Sequence, residues 1–228
     1  MAGSMTEVPV NGGVVPAYVS LPPAGSGPGV VVIQEWWGLV PHIRNVADRL
    51  AAQGFVAMAP DLYHGQETTE PDEAGKLLME LRLDQAAKDM AATVDALLAM
   101  PETTGDGVGA IGFCAGGGLA LYLASLKPEV AAVVCYYGFP RQGLQWDLSA
   151  VKGAVLGHFA EHDDWANREL ADGMERELRD AGVDVTFHHY PGTTHAFFND
   201  DRPEVYHPEA AAESWRRTLD FLHDRLGG

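Results

Sequence analysis

Apolar residues along this chain follow two periods that alternate in a regular order. Residues 8–10 and 14–21 are strand-favouring runs separated by Asn11-Gly12-Gly13, which predicts a hairpin. Residues 30–33 are continuously apolar, the pattern of a strand buried on both faces. After a loop over residues 35–40, residues 41–53 place Ile43, Val46, Ala47 and Leu50 at helical spacing. Pro41 suits the first turn of that helix and Gly54 its stop. Residues 55–59 read as a strand closed by Pro60, and 61–75 as polar and irregular. Residues 83–100 form a helix with Ala86, Met90, Val94 and Leu97 on one face. A strand at 108–113, a helix at 115–126, and a strand at 130–137 follow, then an irregular stretch to Val151. The last elements are a strand at 154–159, a helix at 166–181, a strand at 183–190 and a helix at 208–226. The two helices align Leu170, Met174, Leu178 and Ala181, and Trp215, Leu219, Leu222 and Leu226.

A hairpin followed by repeated strand–helix units implies an α/β fold, a mostly parallel central sheet with helices on both faces. No repeat, low-complexity tract or linker interrupts residues 1–228, so one domain is expected. In such sheets chemistry gathers at the carboxyl ends of the strands.

Composition narrows the function classes. The chain has 228 residues, 46% hydrophobic and 21% charged, which suits a globular core and excludes a disordered chain. With 15 basic and 32 acidic residues the net charge is −17, which argues against nucleic-acid partners and anionic membrane surfaces. Two cysteines, Cys114 and Cys135, are too few for a disulfide framework. Residues 107–126 carry no charge, but their six glycines and changing pattern argue against a membrane span. The first ten residues lack a basic stretch and an apolar run, so no signal peptide is expected and a cytoplasmic location is the default. Met1–Ser4 read as an addition ahead of Met5 as the natural start.

Two motifs match by letter and fail by context. Gly107, Gly109 and Gly112 spell G-x-G-x-x-G, but they fall inside a strand, whereas a dinucleotide loop needs them in the turn after one. His158, Glu161 and His162 spell H-x-x-E-H, a zinc-hydrolase signature that works on a helix, and here the preceding residues are a strand. His188 and His189 are strand neighbours pointing to opposite faces, not a ligand pair.

A third motif fits its context. Gly112-Phe113-Cys114-Ala115-Gly116 joins an apolar strand to a helix, the form of a nucleophile elbow with Cys in place of Ser. Flanking glycines remove Cβ clashes from a sharp turn, and the helix N-terminus beneath it favours thiolate over thiol. Cys135, in the apolar run around residues 133–137, reads as core. A thiol nucleophile needs a base and the base an orienter. The end of strand 154–159 offers Glu161, Asp163 and Asp164, and the loop after strand 183–190 offers His195.

At these residues the chain resembles the dienelactone hydrolase family. The matching stretches are residues 31–38, 59–63, 112–117, 159–163 and 190–197. The resemblance implies an α/β-hydrolase that opens lactones and small esters with a Cys114–Asp163–His195 triad, Asp163 being selected over Asp164 by its spacing from Phe159. It implies an oxyanion hole from the backbone N–H groups of Trp36 and Ala115, and a carboxylate, Glu35, beside the nucleophile that could gate its activation. Glu161 and Asp164 are then solvated loop charges. Family members acting on dienelactone itself carry an arginine four residues after the triad histidine. Here that position is Asn199, and Arg82 or Arg202 are the candidates to replace its charge. Trp36, Trp37, Tyr63, Tyr137 and Phe197 are candidates for an aromatic substrate pocket. The expected partner is a small-molecule ester or lactone, with no metal and no organic cofactor. A non-enzymatic sensor on the same fold and a zinc-dependent hydrolase are the alternatives.

Overall fold

The computed structural model describes residues 2–140 and 146–227. In chain order the strands are β1 (Ser4–Val10), β2 (Gly13–Ser20), β3 (Gly27–Ile33), β4 (Val56–Pro60), β5 (Thr103–Phe113), β6 (Val130–Tyr136), β7 (Ala154–His162) and β8 (Val185–Thr194). The helices are α1 (Pro41–Ala52), α2 (Pro71–Glu80), α3 (Leu83–Ala99), α4 (Ala115–Leu126), α5 (Arg168–Asp180) and α6 (Pro208–Leu226).

The strands form one sheet in the order β1-β2-β4-β3-β5-β6-β7-β8. Val10 pairs with Gly13, closing the predicted hairpin around Asn11-Gly12, and Gly12 takes a φ of 95° that glycine tolerates. β1 and β2 are antiparallel to each other, β2 is antiparallel to β4, and every other pair is parallel. The chain leaves β3 toward β4 on one side and leaves β5 toward β6 on the other. The carboxyl ends of β3 and β5 therefore border a switch point, where the diverging connections open a crevice.

Helices cover both faces of the sheet. Gly29 lies against Leu97 of α3, while Gly109, next to its cross-strand partner Val108, lies against Leu222 and Leu226 of α6. Adjacent strand residues point to opposite faces, so α3 and α6 occupy opposite sides. Arg49 of α1 stacks on Trp215 of α6, which puts α1 on the α6 side. The apolar runs of the central strands are buried, residues 30–33 of β3, all of β4 and residues 108–113 of β5 among them, as their continuous hydrophobicity predicts.

Several boundaries differ from expectation. Residues 71–80, predicted irregular in part, form α2, with Pro71 opening it and only Ala74 buried. So little apolar contact leaves no helical stripe to read. β7 continues to His162 and β8 to Thr194, because Ala160 pairs with Tyr190 and, across a register shift, His162 with Thr194. Leu170 is 49% exposed, and α5 instead buries Ala171 and Leu178. The buried stripe of α6 includes Ser214 and Thr218. Thr218 Oγ1 is 2.9 Å from the Tyr136 hydroxyl and 3.0 Å from His158 Nε2, a polar contact no hydrophobic pattern reveals. The stretch predicted irregular after β6 includes residues 141–145, which lie outside the described residues.

Candidate active site

Cys114 is the N-cap of α4 and sits at φ 54°, ψ −123°, a strained conformation for a residue with a side chain. Its N–H donates to the Tyr136 carbonyl at 3.0 Å, and its own carbonyl accepts from Gly117 N–H at 3.0 Å. The glycines around it are sterically required. A Cβ at Gly112 would fall 1.9 Å from the Gly116 carbonyl oxygen, and one at Gly116 would fall 2.3 Å from that of Gln34. The second contact brings the first turn of α4 against the residues after β3. Glu35, Trp36 and Ala115 are thereby brought toward Cys114. Among the described residues neither the Trp36 nor the Ala115 amide has a backbone acceptor outside the regular elements.

Asp163 follows β7 and His195 follows β8. His195 Nδ1 donates to Asp163 Oδ2 at 2.7 Å. Asp163 Oδ1 accepts from the amides of Trp165 (2.8 Å) and Ala166 (2.9 Å), which fixes the carboxylate. Burial alone would raise the Asp163 carboxyl. The imidazole and the two amides outweigh it and hold the group below its usual range. Burial alone would likewise lower His195. Hydrogen bonds and charges from Asp163 and Cys114 overcome it and push the imidazole up to about 10. The Tyr137 ring packs edge-on against the imidazole with centroids 5.1 Å apart. Ala196, at φ 64°, turns the chain so that Phe197 and Phe198 enter the core directly after His195.

Glu35 is 2% exposed. One oxygen accepts from Asn199 Nδ2 at 2.7 Å, the other from the Tyr137 hydroxyl at 3.4 Å. Asn199, at the position of the family's substrate-binding arginine and so a candidate substrate contact, is turned to Glu35 instead. Asn199 is 2% exposed and its amide is spent on Glu35, while its Oδ1 accepts from Asp201 N–H. Tyr137 and Phe197 are also corrected as pocket walls. Both are 0% exposed, so neither offers a surface to a ligand, and Phe197 packs on Tyr137 and Tyr190. Arg82 is 74% exposed and bound to Asp84. Arg202 pairs with Glu204 and lies over the Trp37 ring at 5.5 Å, and Trp37 in turn packs on the half-buried Trp36. Tyr63 is buried, and burial first, then the neighbouring Cys114, push its phenol above the usual range.

The remaining expectations meet mixed outcomes. The G-x-G-x-x-G glycines do lie in β5. His158 is fully buried, its two ring nitrogens beside Tyr190 (2.8 Å) and Thr218 (3.0 Å), while His162 is exposed on the same strand. The pair therefore shares no helical face. Among the described residues no group of three or more His, Cys, Asp or Glu side chains is placed to hold a metal. Among them, too, no helix is long and apolar enough to cross a membrane. Asp164 is exposed as expected. Glu161 is more than a solvated charge, since its Oε2 accepts from Gly192 N–H at 2.7 Å and braces the end of β8 that leads to His195. The clasp joining Glu35 to Asn199 has no signal in the sequence.

Comparison with known proteins bears on the family. The family model described as the dienelactone hydrolase family matches residues 15–226. The "Protein usf" of Aquifex pyrophilus and a "Putative carboxymethylenebutenolidase" of Aquifex aeolicus are each 38% identical over 231 residues, covering 98% of this chain and 99% of theirs. A crystal structure of a dienelactone hydrolase-like promiscuous phosphotriesterase from metagenomic libraries superposes with a TM-score of 0.87. It is 26% identical and covers 99% of this chain and 100% of that one.

Proposed function

This chain belongs to the dienelactone hydrolase family of hydrolases, and from that premise we propose that it opens a lactone or small carboxylic ester through a Cys114 thioester. In this reading His195 holds the thiol proton while the Cys114 sulfur attacks the carbonyl carbon. The carbonyl π pair moves to oxygen, where the Trp36 and Ala115 amides receive it. As the intermediate collapses, the C–O bond to the alcohol breaks and His195 protonates the departing oxygen. Water, deprotonated by His195, then attacks the thioester and releases the acid. Asp163 keeps Nδ1 protonated throughout, so Nε2 serves the reaction.

The observation that carries this reading is the joining of three groups from three strand ends. His195 is bound at 2.7 Å to a buried Asp163 and interacts with Cys114, which stands at a left-handed elbow. The high imidazole pKa supports a proton resting on nitrogen while sulfur attacks. Turnover of a p-nitrophenyl ester and of a small neutral lactone tests it. Cys114→Ala should lose several orders of magnitude in kcat, and intact-mass analysis of the wild type should catch an acyl adduct on Cys114. Retention of activity in Cys114→Ala would overturn the thioester route.

A further inference from the structure

Tyr18, Tyr63, Tyr136, Tyr137 and Tyr190 are the buried tyrosines of the described residues. Four have engaged hydroxyls: Tyr18 with Asp48, Tyr136 with Thr218, Tyr137 with Glu35, and Tyr190 with His158. Tyr63 is 7% exposed, and no hydrogen bond to its hydroxyl occurs among the described residues. Its ring is enclosed within the fold. A phenol with no such partner keeps a donor that a ligand can use.

The surrounding loop is built to hold that ring. Asp61 accepts from Tyr63 N–H at 3.0 Å and from Gly65 N–H at 2.6 Å. Leu62 N–H donates to Gln34 Oε1 at 3.1 Å, tying the loop to the residue before Glu35. His64 takes a φ of 51° and is clasped to Asp89 at 2.9 Å. Backbone strain of this kind persists only where the surroundings over-determine it.

The sheet decides which side of the nucleophile this phenol occupies. Val31 pairs with Met58, and past the strand ends the Leu62 amide reaches the Gln34 side chain, which sets the Tyr63 loop beside the residues that follow β3. β4 lies beyond β3 as seen from β5, whereas Asp163 and His195 arrive from β7 and β8 on the opposite side. Tyr63 thus approaches Cys114 from the flank of the Trp36 amide, across from the imidazole.

We propose that Tyr63 is a side-chain member of the oxyanion hole, donating its phenolic hydrogen to the substrate carbonyl oxygen as that oxygen gains charge. The assignment rests on Cys114 being the nucleophile. Burial, and after it the neighbouring Cys114, push the phenol above its usual pKa, so it remains a donor through the neutral range. A preorganised donor of this kind acts on kcat more than on KM.

Tyr63→Phe keeps the ring and removes the donor. Its kcat should fall about tenfold or more, with KM within about twofold and an unchanged unfolding temperature. The loss should be the same for p-nitrophenyl and ethyl esters of one acid. A loss that grows with leaving-group basicity would assign the phenol to the departing oxygen and overturn the proposal, as would a kcat within twofold of wild type. A second measurement uses an aryl trifluoromethyl ketone. Its carbonyl carbon bonds to the Cys114 sulfur, the thiol proton passes to His195, and the carbonyl oxygen becomes the oxyanion. Tyr63→Phe should weaken this inhibitor about tenfold and bind the corresponding carbinol as the wild type does. Equal inhibition of both proteins, with the adduct found on Cys114, would overturn the Tyr63 assignment alone. No adduct on wild-type Cys114 would overturn the nucleophile and this inference together.

Discussion

Cys135 pairs with Gly112 across β5 and β6, two residues short of Cys114, yet the two thiols have opposite surroundings. Cys135 is 0% exposed, donates to the Gly138 carbonyl at 3.0 Å, and is pushed up to about 12 by burial. Cys114 is half-buried at a helix N-terminus beside an imidazole. Limiting iodoacetamide should therefore add mass at Cys114 and inactivate, while Cys135→Ala keeps activity within a few fold. Alkylation of Cys135 first would reverse the two roles. Asp163→Asn should lower kcat by about 10⁴, as the wrong imidazole tautomer does in serine proteases, and Asp164→Asn should have little effect. The same variant fixes a pH dependence. The folded imidazole, near 10 against an ordinary 6.5, contributes stability that is complete below 6.5 and is lost as pH rises toward 10. The Asp163 carboxyl, held below its ordinary 3.8, contributes stability present above that pH and lost below it. The gap in unfolding temperature between wild type and Asp163→Asn should thus be widest between 3.8 and 6.5. A gap that is flat from pH 5 to pH 10 would mean the pair does not titrate this way. At this scale Cys114 and His195 are legible in the sequence because each sits just past a strand, flanked by glycine or a turn, whereas Asp163 stands apart from Glu161 and Asp164 only through the family resemblance. Asn199 and Glu35 are 164 residues apart, and nothing in either neighbourhood marks them as partners.

The elements that carry the site are those with the plainest patterns. α4 runs over the predicted residues without a shift, because the glycines that allow the elbow also mark its start. Elements on the margin are harder to read. α2 buries one residue, and the amphipathic face of α5 rests on Ala171 and Leu178, so an exposed Leu170 misleads a stripe drawn from hydrophobicity alone. The ends of β7 and β8 are extended by pairing with each other, a non-local cause invisible in either segment. Glycines separate the two classes of element experimentally. Gly173, inside α5, has no atom within 4 Å of an added Cβ, so Gly173→Ala should stabilise the fold by about 0.5–1 kcal/mol. Gly116→Ala would drive a Cβ to 2.3 Å from the Gln34 carbonyl oxygen. It should destabilise by about 1–3 kcal/mol and reduce activity further than stability alone explains, because the strain falls between Cys114 and the Trp36 loop. Denaturant melts of both variants check this, and a harmless Gly116→Ala would remove the steric reason for glycine there.

Charge acts over the whole molecule and bears on which substrates approach. The chain carries 32 acidic against 15 basic residues. The cations expected to stand in for an arginine at position 199 are committed elsewhere, Arg82 to Asp84 and Arg202 to Glu204. At the site itself the buried Glu35 is met by an amide and a phenol, both neutral. A substrate bearing a carboxylate would approach a negative protein, and neither Arg82 nor Arg202 is free to receive it. A dienelactone carboxylate should therefore have a lower kcat/KM than its own methyl ester, which keeps the ring and removes the charge. Salt should distinguish the two. The Debye length shrinks from about 30 Å at 0.01 M to about 10 Å at 0.1 M, so kcat/KM for the anion should rise over that range while that for the ester stays level. Asn199→Arg should raise the anion's kcat/KM by pairing with Glu35 and cancelling an uncompensated acid, with less change for the ester. A wild-type preference of tenfold or more for the anionic lactone would refute this account, and Arg202, stacked beside the Trp36–Trp37 loop, would then be the cation to test.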